Sequence, residues 1–179
     1  IRSRAHACAA RHASLSHDAG IHDASHPRAP SFRRSLMHRS AHVDTFARDN
    51  LPPASQWPVF LDSPDTRYPA RMNAAVELLD AMIARGHGDA IALRNDEAAC
   101  TWIELAAQVD RIAHALTGPM GLVPGNRVML RGGNHPMMAA CWLATIKAGL
   151  VAVATMPLLR AAELIQIADK AQVNAVLCD

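Results

Sequence analysis

The sequence predicts an α/β fold whose clearest part is a parallel sheet, strand-helix-strand-helix-strand, from about residue 127 to 178. Three observations predict it. Short β-branched runs ("RVMLR", "LVAVAT", "VNAVLC") alternate with two stretches of helical period ("PMMAACWLATIK", "RAAELIQIADKA"). Connections are a few residues long and marked by Gly or Pro, so successive strands must be joined by crossover helices. Half of the 179 residues are hydrophobic, enough for one buried core.

The first 42 residues stand apart. Residues 1–50 hold 8 Arg against 4 Asp and seven of the ten His, whereas residues 51–179 hold 10 Arg or Lys against 12 Asp or Glu. Few large apolar residues interrupt this leader, so it predicts disorder. Its His spacing matches no metal-ligand framework. It is Arg- and Ser-rich like a transit peptide, but Asp18 and Asp23 and the lack of an amphipathic period count against that reading. The first Met is Met37, and a native start is expected at or near it. Domain organisation therefore reads as a non-native or disordered leader, 1–42, and a partial large domain, 43–179.

From Val43 to about Tyr68, prolines at 52, 53, 58 and 64, followed by Pro69, forbid long helices and predict an irregular wrap pinned by Phe46, Trp57 and Phe60. A helix follows, capped by Asn73 and stopped by Gly86 or Gly88, with Ala75, Leu78, Leu79, Met82 and Ile83 on one face. "AIALRNDEAACT" reads as a hairpin turning at Asn-Asp-Glu. Thr101-Trp-Ile-Glu104 is a capping box, and the helix it opens faces the core with Leu105, Val109, Ile112, Ala113 and Leu116 before Gly118-Pro119 ends it. His114 falls among these apolar positions and reads as a half-buried, hydrogen-bonded histidine.

The most apolar stretch, residues 137–159, raises the question of a membrane span. Lys147 near its middle would cost roughly 3 kcal/mol in a bilayer. A helix that starts at Pro136 and ends at Lys147-Ala-Gly149, then a strand stopped by Pro157, uses the same residues without that cost. No membrane span is expected, and the strand after Gly149 reads as a central one. Trp142, Met137 and Met138 read as core. Cys8, Cys100, Cys141 and Cys178 show no CxxC pairing and no regular spacing, which predicts reduced, mostly buried thiols in a cytoplasmic protein.

Two blocks carry a family resemblance. "TWIELAAQVDRIAHAL" resembles the first core motif of the adenylate-forming enzymes, and "LATIKAGLVAVATMPL" resembles their second; between them "GLVPGNRVML" has Asn126 where Asp is usual. The chain is similar to acyl-CoA synthetases over about residues 43–179. "RGGNHPMMAACWLATIKAG" and "VATMPLLRAAELIQIADKAQV" look most like the 2-aminobenzoate-CoA and benzoate-CoA ligases. The resemblance implies the start of the large N-terminal domain of the adenylate-forming fold, with ATP, Mg²⁺ and CoA as cofactors. It implies an aromatic carboxylate as substrate and no nucleic-acid partner.

The family's phosphate loop, of the form [ST]-G-[ST]-[ST]-G-x-P-K, is absent, and the two lysines, Lys147 and Lys170, both lie on predicted helices. The resemblance therefore assigns no catalytic residue to this chain, no metal ligand, and no activity to the fragment alone. Candidates for ligand contact are Gly132, Gly133 and His135 in the turn "RGGNHP", which lacks the Walker and dinucleotide spacings, and Arg160 at the start of the last helix, near a sheet's carboxyl edge. A tight turn and a solvated arginine are the plainer readings of the same residues. Two other functions stay open: a small stand-alone α/β module binding nucleotide or CoA, and a non-catalytic truncation product whose exposed edge at "VNAVLC" makes it aggregate or self-associate.

Overall fold

The computed structural model describes residues 40–58, 68, 69, 71–96 and 99–178, all within the compact unit Met37–Asp179. The leader up to residue 39, with Cys8, and the wrap residues Phe60 and Pro64 lie outside the described residues.

The chain enters through a short helix, α1 (Phe46–Asp49), and a 3₁₀ turn at Ala54–Gln56, where Trp57 Nε1 donates to the Pro52 carbonyl at 2.8 Å. Residues 74–87 are helical with two π-turns, Val76–Asp80 and Ile83–His87. Asn73 Oδ1 caps this helix by accepting from Ala75 N at 3.0 Å, and its Nδ2 donates to the Ile146 and Lys147 carbonyls. The π-turns alter the residue period, so the expected face splits: Ala75 and Leu79 are buried but Leu78 is exposed.

β1 (Ile91–Arg94) and β2 (Ala99–Thr101) form the expected antiparallel hairpin, bulged between Ile91 and Leu93. α2 (Trp102–Thr117) opens on the capping box, with Glu104 N donating to Thr101 Oγ1 and Thr101 N donating to Glu104 Oε2 at 2.8 Å. The Thr101 amide, and after it the Thr101 hydroxyl donating to the same Oε2 at 3.1 Å, hold the Glu104 carboxyl below its usual value. Leu105, Ala106 and Val109 of α2 pack with Leu79, Ala140 and Ala144 into one core cluster. His114, by contrast, is exposed, because the buried stripe runs from Val109 to Leu116 and leaves position 114 on the far side of the helix.

β3 (Arg127–Arg131), α3 (Pro136–Lys147), β4 (Val151–Thr155), α4 (Ala161–Ala171) and β5 (Ala175–Cys178) build the parallel sheet in the order β4-β3-β5. β3 is thus the central strand, and β4, expected at the centre, lies at an edge among the described residues. The reason is topological: the chain steps from β3 to β4 and then crosses back over β3 to lay down β5. With right-handed crossovers in opposite directions, α3 and α4 cover opposite faces. Val128, Leu130, Ala152, Ala175 and Leu177 form the face that packs with Met138 and Cys141 of α3. The alternate row ends in Thr155, Arg131 and Cys178, in register across the carboxyl edge.

The amino edge of the sheet is locked by one ionic knot. Arg127, 4% exposed, pairs with Asp44 and stacks on the Phe46 ring. Its guanidinium also donates to the carbonyls of Gly125, Ala171 and Gln172. Phe46 N and Asn126 Nδ2 add donors to the Asp44 carboxylate. Foremost the Phe46 amide, then Arg127, holds the Asp44 carboxyl below its ordinary range. No helix among the described residues is long and apolar enough to cross a membrane.

Candidate functional site

In open parallel sheets the usable crevice lies at the carboxyl ends of two neighbouring strands whose outgoing connections leave to opposite faces. Here those strands are β3 and β4. A groove of about 320 Å³ lies at that point, lined by Leu130 and Gly132 from the end of β3, by Ala154 and Thr155 from the end of β4, and by Asn134, His135, Met138, Ala139 and Trp142.

The sequence places these groups for local reasons. Pro136 is the first residue of α3, its fixed φ suiting that position. His135 is the N-cap, and its Nδ1 accepts from Met137 N at 3.1 Å. With Nδ1 an acceptor, the neutral ring carries its proton on Nε2. His135, Met138 or Ala139, and Trp142 then follow at helical spacing, so one face of α3 forms a wall of the groove. Thr155 Oγ1 donates to the Leu130 carbonyl at 3.0 Å, which ties the two strand ends together.

Of the four sequence candidates, the structure brings Gly132 and His135 together in this groove and leaves Gly133 and Arg160 outside its lining. Arg160 is exposed at the N-cap of α4, with its amide donating to Glu163 Oε2 at 2.7 Å. Trp142 and Met137, read as core, are 39% and 44% exposed, while Met138 packs on the second core cluster as expected. The missed signal was the spacing: position 142 lies seven residues after His135, on the same helical stripe. The thiols are also more open than expected, with Cys100 and Cys141 half-buried and Cys178 exposed, none of the three in a disulfide.

The groove offers neutral hydrogen-bonding groups, one aromatic wall and no charged side chain. A triphosphate needs cationic donors, and no group of three His, Cys, Asp or Glu that could hold a metal ion exists among the described residues. The groove therefore does not fit ATP with Mg²⁺. A larger cavity, about 710 Å³, is lined by Asn73, Ile146, Gly149 and Leu150 at the amino end of β4. That is the opposite end from the switch point.

Comparison with known proteins agrees with this architecture. The family profile described as "AMP-binding enzyme" matches residues 81–179, more than half of the chain. The chain is 40% identical over 62 residues to 2-succinylbenzoate--CoA ligase of Escherichia coli (strain K12), covering 35% of this chain and 14% of that protein. It is 34% identical over 99 residues to benzoate--CoA ligase of Thauera aromatica, covering 54% of this chain and 18% of that one. In structure it resembles the N-terminal subdomain of Klebsiella oxytoca NpsA, with a TM-score of 0.53 and 24% identity over 57% of this chain and 26% of the other. The chain spans less than a fifth of the length of the curated relatives it matches. The fold is the beginning of the large N-terminal domain of adenylate-forming enzymes, and the chain belongs to the AMP-binding enzyme family.

Proposed function

We propose that this chain is the N-terminal part of an ATP-dependent aromatic carboxylate-CoA ligase. In that reaction a carboxylate oxygen attacks the α-phosphorus of ATP and pyrophosphate leaves. The CoA thiol then attacks the acyl carbon, and AMP leaves. The observation that carries the reading is the family match over residues 81–179 together with curated relatives named for benzoate and succinylbenzoate. 2-Aminobenzoate or benzoate is the proposed acid, and the cytoplasm, where free thiols stay reduced, the proposed location.

The role proposed for the residues present is scaffolding. They hold the carboxyl ends of β3 and β4 open at a switch point and wall the groove with α3. ATP and Mg²⁺ have no fitted site in that groove, so the proposal gives the chemical steps to polypeptide beyond this chain and expects this fragment to be inactive and prone to self-association. The test incubates the 179-residue chain with ATP, Mg²⁺, CoA and either benzoate or 2-aminobenzoate. The expected result is no acyl-CoA and no AMP; thioester formed by this chain would overturn it. The ligase reading itself is tested on an extended chain carrying the phosphate loop. Failure of that chain to release AMP with any aromatic acid would count against it. Calorimetry of the present chain against ATP and CoA addresses a stand-alone binding module, which would show saturable heat.

A further inference from the structure

We infer that the groove at the carboxyl ends of β3 and β4 binds an uncharged, single-ring aromatic amide. Sites for small molecules combine apolar walls with a few polar groups that fix orientation. This groove has both. Leu130, Met138 and Ala154 line it with apolar surface, and Trp142, 39% exposed, adds an aromatic wall. Its volume of about 320 Å³ lies at the small end of the roughly 300–1,000 Å³ common among ligand pockets, which suits one ring better than a nucleotide.

The polar groups are neutral, and most of them donate. His135 Nδ1 accepts from Met137 N, so the neutral ring keeps its proton on Nε2. Asn134 supplies an amide NH₂ and Trp142 an indole N–H. Among the described residues none of these three donors has a hydrogen-bond partner, and all three side chains are exposed, so each is open to a ligand oxygen. The Thr155 hydroxyl gives its proton to the Leu130 carbonyl and is left as an acceptor. A ligand carbonyl answers the donors, and a ligand N–H answers Thr155; an amide carries both. No charged side chain lines the groove, so a carboxylate entering it would shed water without gaining a counter-ion. The groove therefore selects against the aromatic acid proposed as the ligase substrate, and the inference stands apart from that reading because binding needs no turnover.

The test titrates the 179-residue chain, ¹⁵N-labelled at its tryptophans, with benzamide into the millimolar range expected of so small a ligand. NMR follows the indole N–H resonances, and the one missing from Trp142→Phe identifies Trp142. A saturable shift of that resonance is expected, with those of Trp57 and Trp102 unmoved. Benzoate, which is charged, and cyclohexanecarboxamide, which lacks the aromatic face, should each bind several-fold more weakly. Ala154→Leu fills an exposed lining position and should weaken benzamide several-fold without lowering the melting temperature. His135→Asn keeps a good N-cap for α3 while removing the Nε2 donor, and should also weaken it. The inference is overturned by no saturable shift with benzamide, by equal binding of benzoate or cyclohexanecarboxamide, or by unchanged benzamide affinity in either variant.

Discussion

Gly125 and Arg127 together decide whether the segment before the first strand of the parallel sheet is bound to it. Gly125 has φ +94°, and a Cβ there would collide with the Asp44 carbonyl. Val43 N and Asp44 N both donate to the Pro124 carbonyl, so the entering segment cannot move aside without breaking those bonds. Gly125→Ala should therefore lose about 2 kcal/mol or more, combining a left-handed backbone with backbone overlap; the urea midpoint of the chain measures it. Arg127→Met should cost about 3 kcal/mol, since it leaves Asp44 and two carbonyls at the end of α4 without their donor. The Asp44 carboxyl sits below its ordinary value of 3.8, so the stability it adds is complete above that pH and is lost as pH falls through its lower folded value. Comparing urea midpoints near pH 6 and pH 3, Asp44→Asn should flatten the acid loss; an unchanged pH slope would refute the role of this knot. Arg127 was not legible as a special residue. In the sequence it is one arginine at a strand start, and its partners lie 83 and 44 residues away.

At the scale of elements, what the sequence shows best is what is set locally. The capping box at Thr101, the proline start of α3 and the Lys147-Ala148-Gly149 stop each depend on residues within one turn, and each forms as read. Gly149 at φ +74° takes the left-handed position after the helix, against Pro124. What escaped reading depends on partners distant in sequence. The strand order β4-β3-β5 was hidden because a right-handed crossover alone does not say to which side of β3 each strand returns. Lys147 is another such case. Read as a helix-terminal cation, it also forms ion pairs with Asp80 at 2.8 Å and Asp110 at 2.7 Å, tying α3 to both helices packed beside it. Burial draws the Lys147 ammonium down, but bonds to Asp110 and Asp80 outweigh that and leave it above its ordinary value of 10.5. Its stabilising contribution is thus present below that pH and is lost as pH rises through the higher folded value. Thermal melts should show Lys147→Met less stable than the parent at pH 8, with the difference shrinking at strongly alkaline pH. Equal melting temperatures at pH 8 would make the pairs ornamental. Thr101→Ala, which removes the cap acceptor of α2, should cost about 1 kcal/mol in the same melts.

For the whole molecule, the faces of the sheet are unequally covered. The face toward α3 holds the buried cluster of Val128, Leu130 and Leu116, whereas α4 contributes no buried residue, and Ile165 and Val176 are 59% and 51% exposed. β4 and β5 each have one edge with no strand beside it among the described residues. Neither strand carries the devices that usually blunt an edge: β5 is Ala-Val-Leu-Cys and β4 is Val-Ala-Val-Ala-Thr, with no charge, proline or bulge. An apolar strand with free N–H and C=O groups offers a ready template for a second chain. The expected outcome is concentration-dependent association of the 179-residue chain, seen by sedimentation velocity. The substitution Val176→Lys places a charge on the β5 edge strand at a position that is already half exposed, so the core should be spared. It should shift the chain toward monomer without lowering its melting temperature. If association proceeds equally in Val176→Lys and in a matching Val153→Lys on β4, the edges are not the contact. A parent chain that stays monomeric at all concentrations would show that the sheet tolerates both open edges.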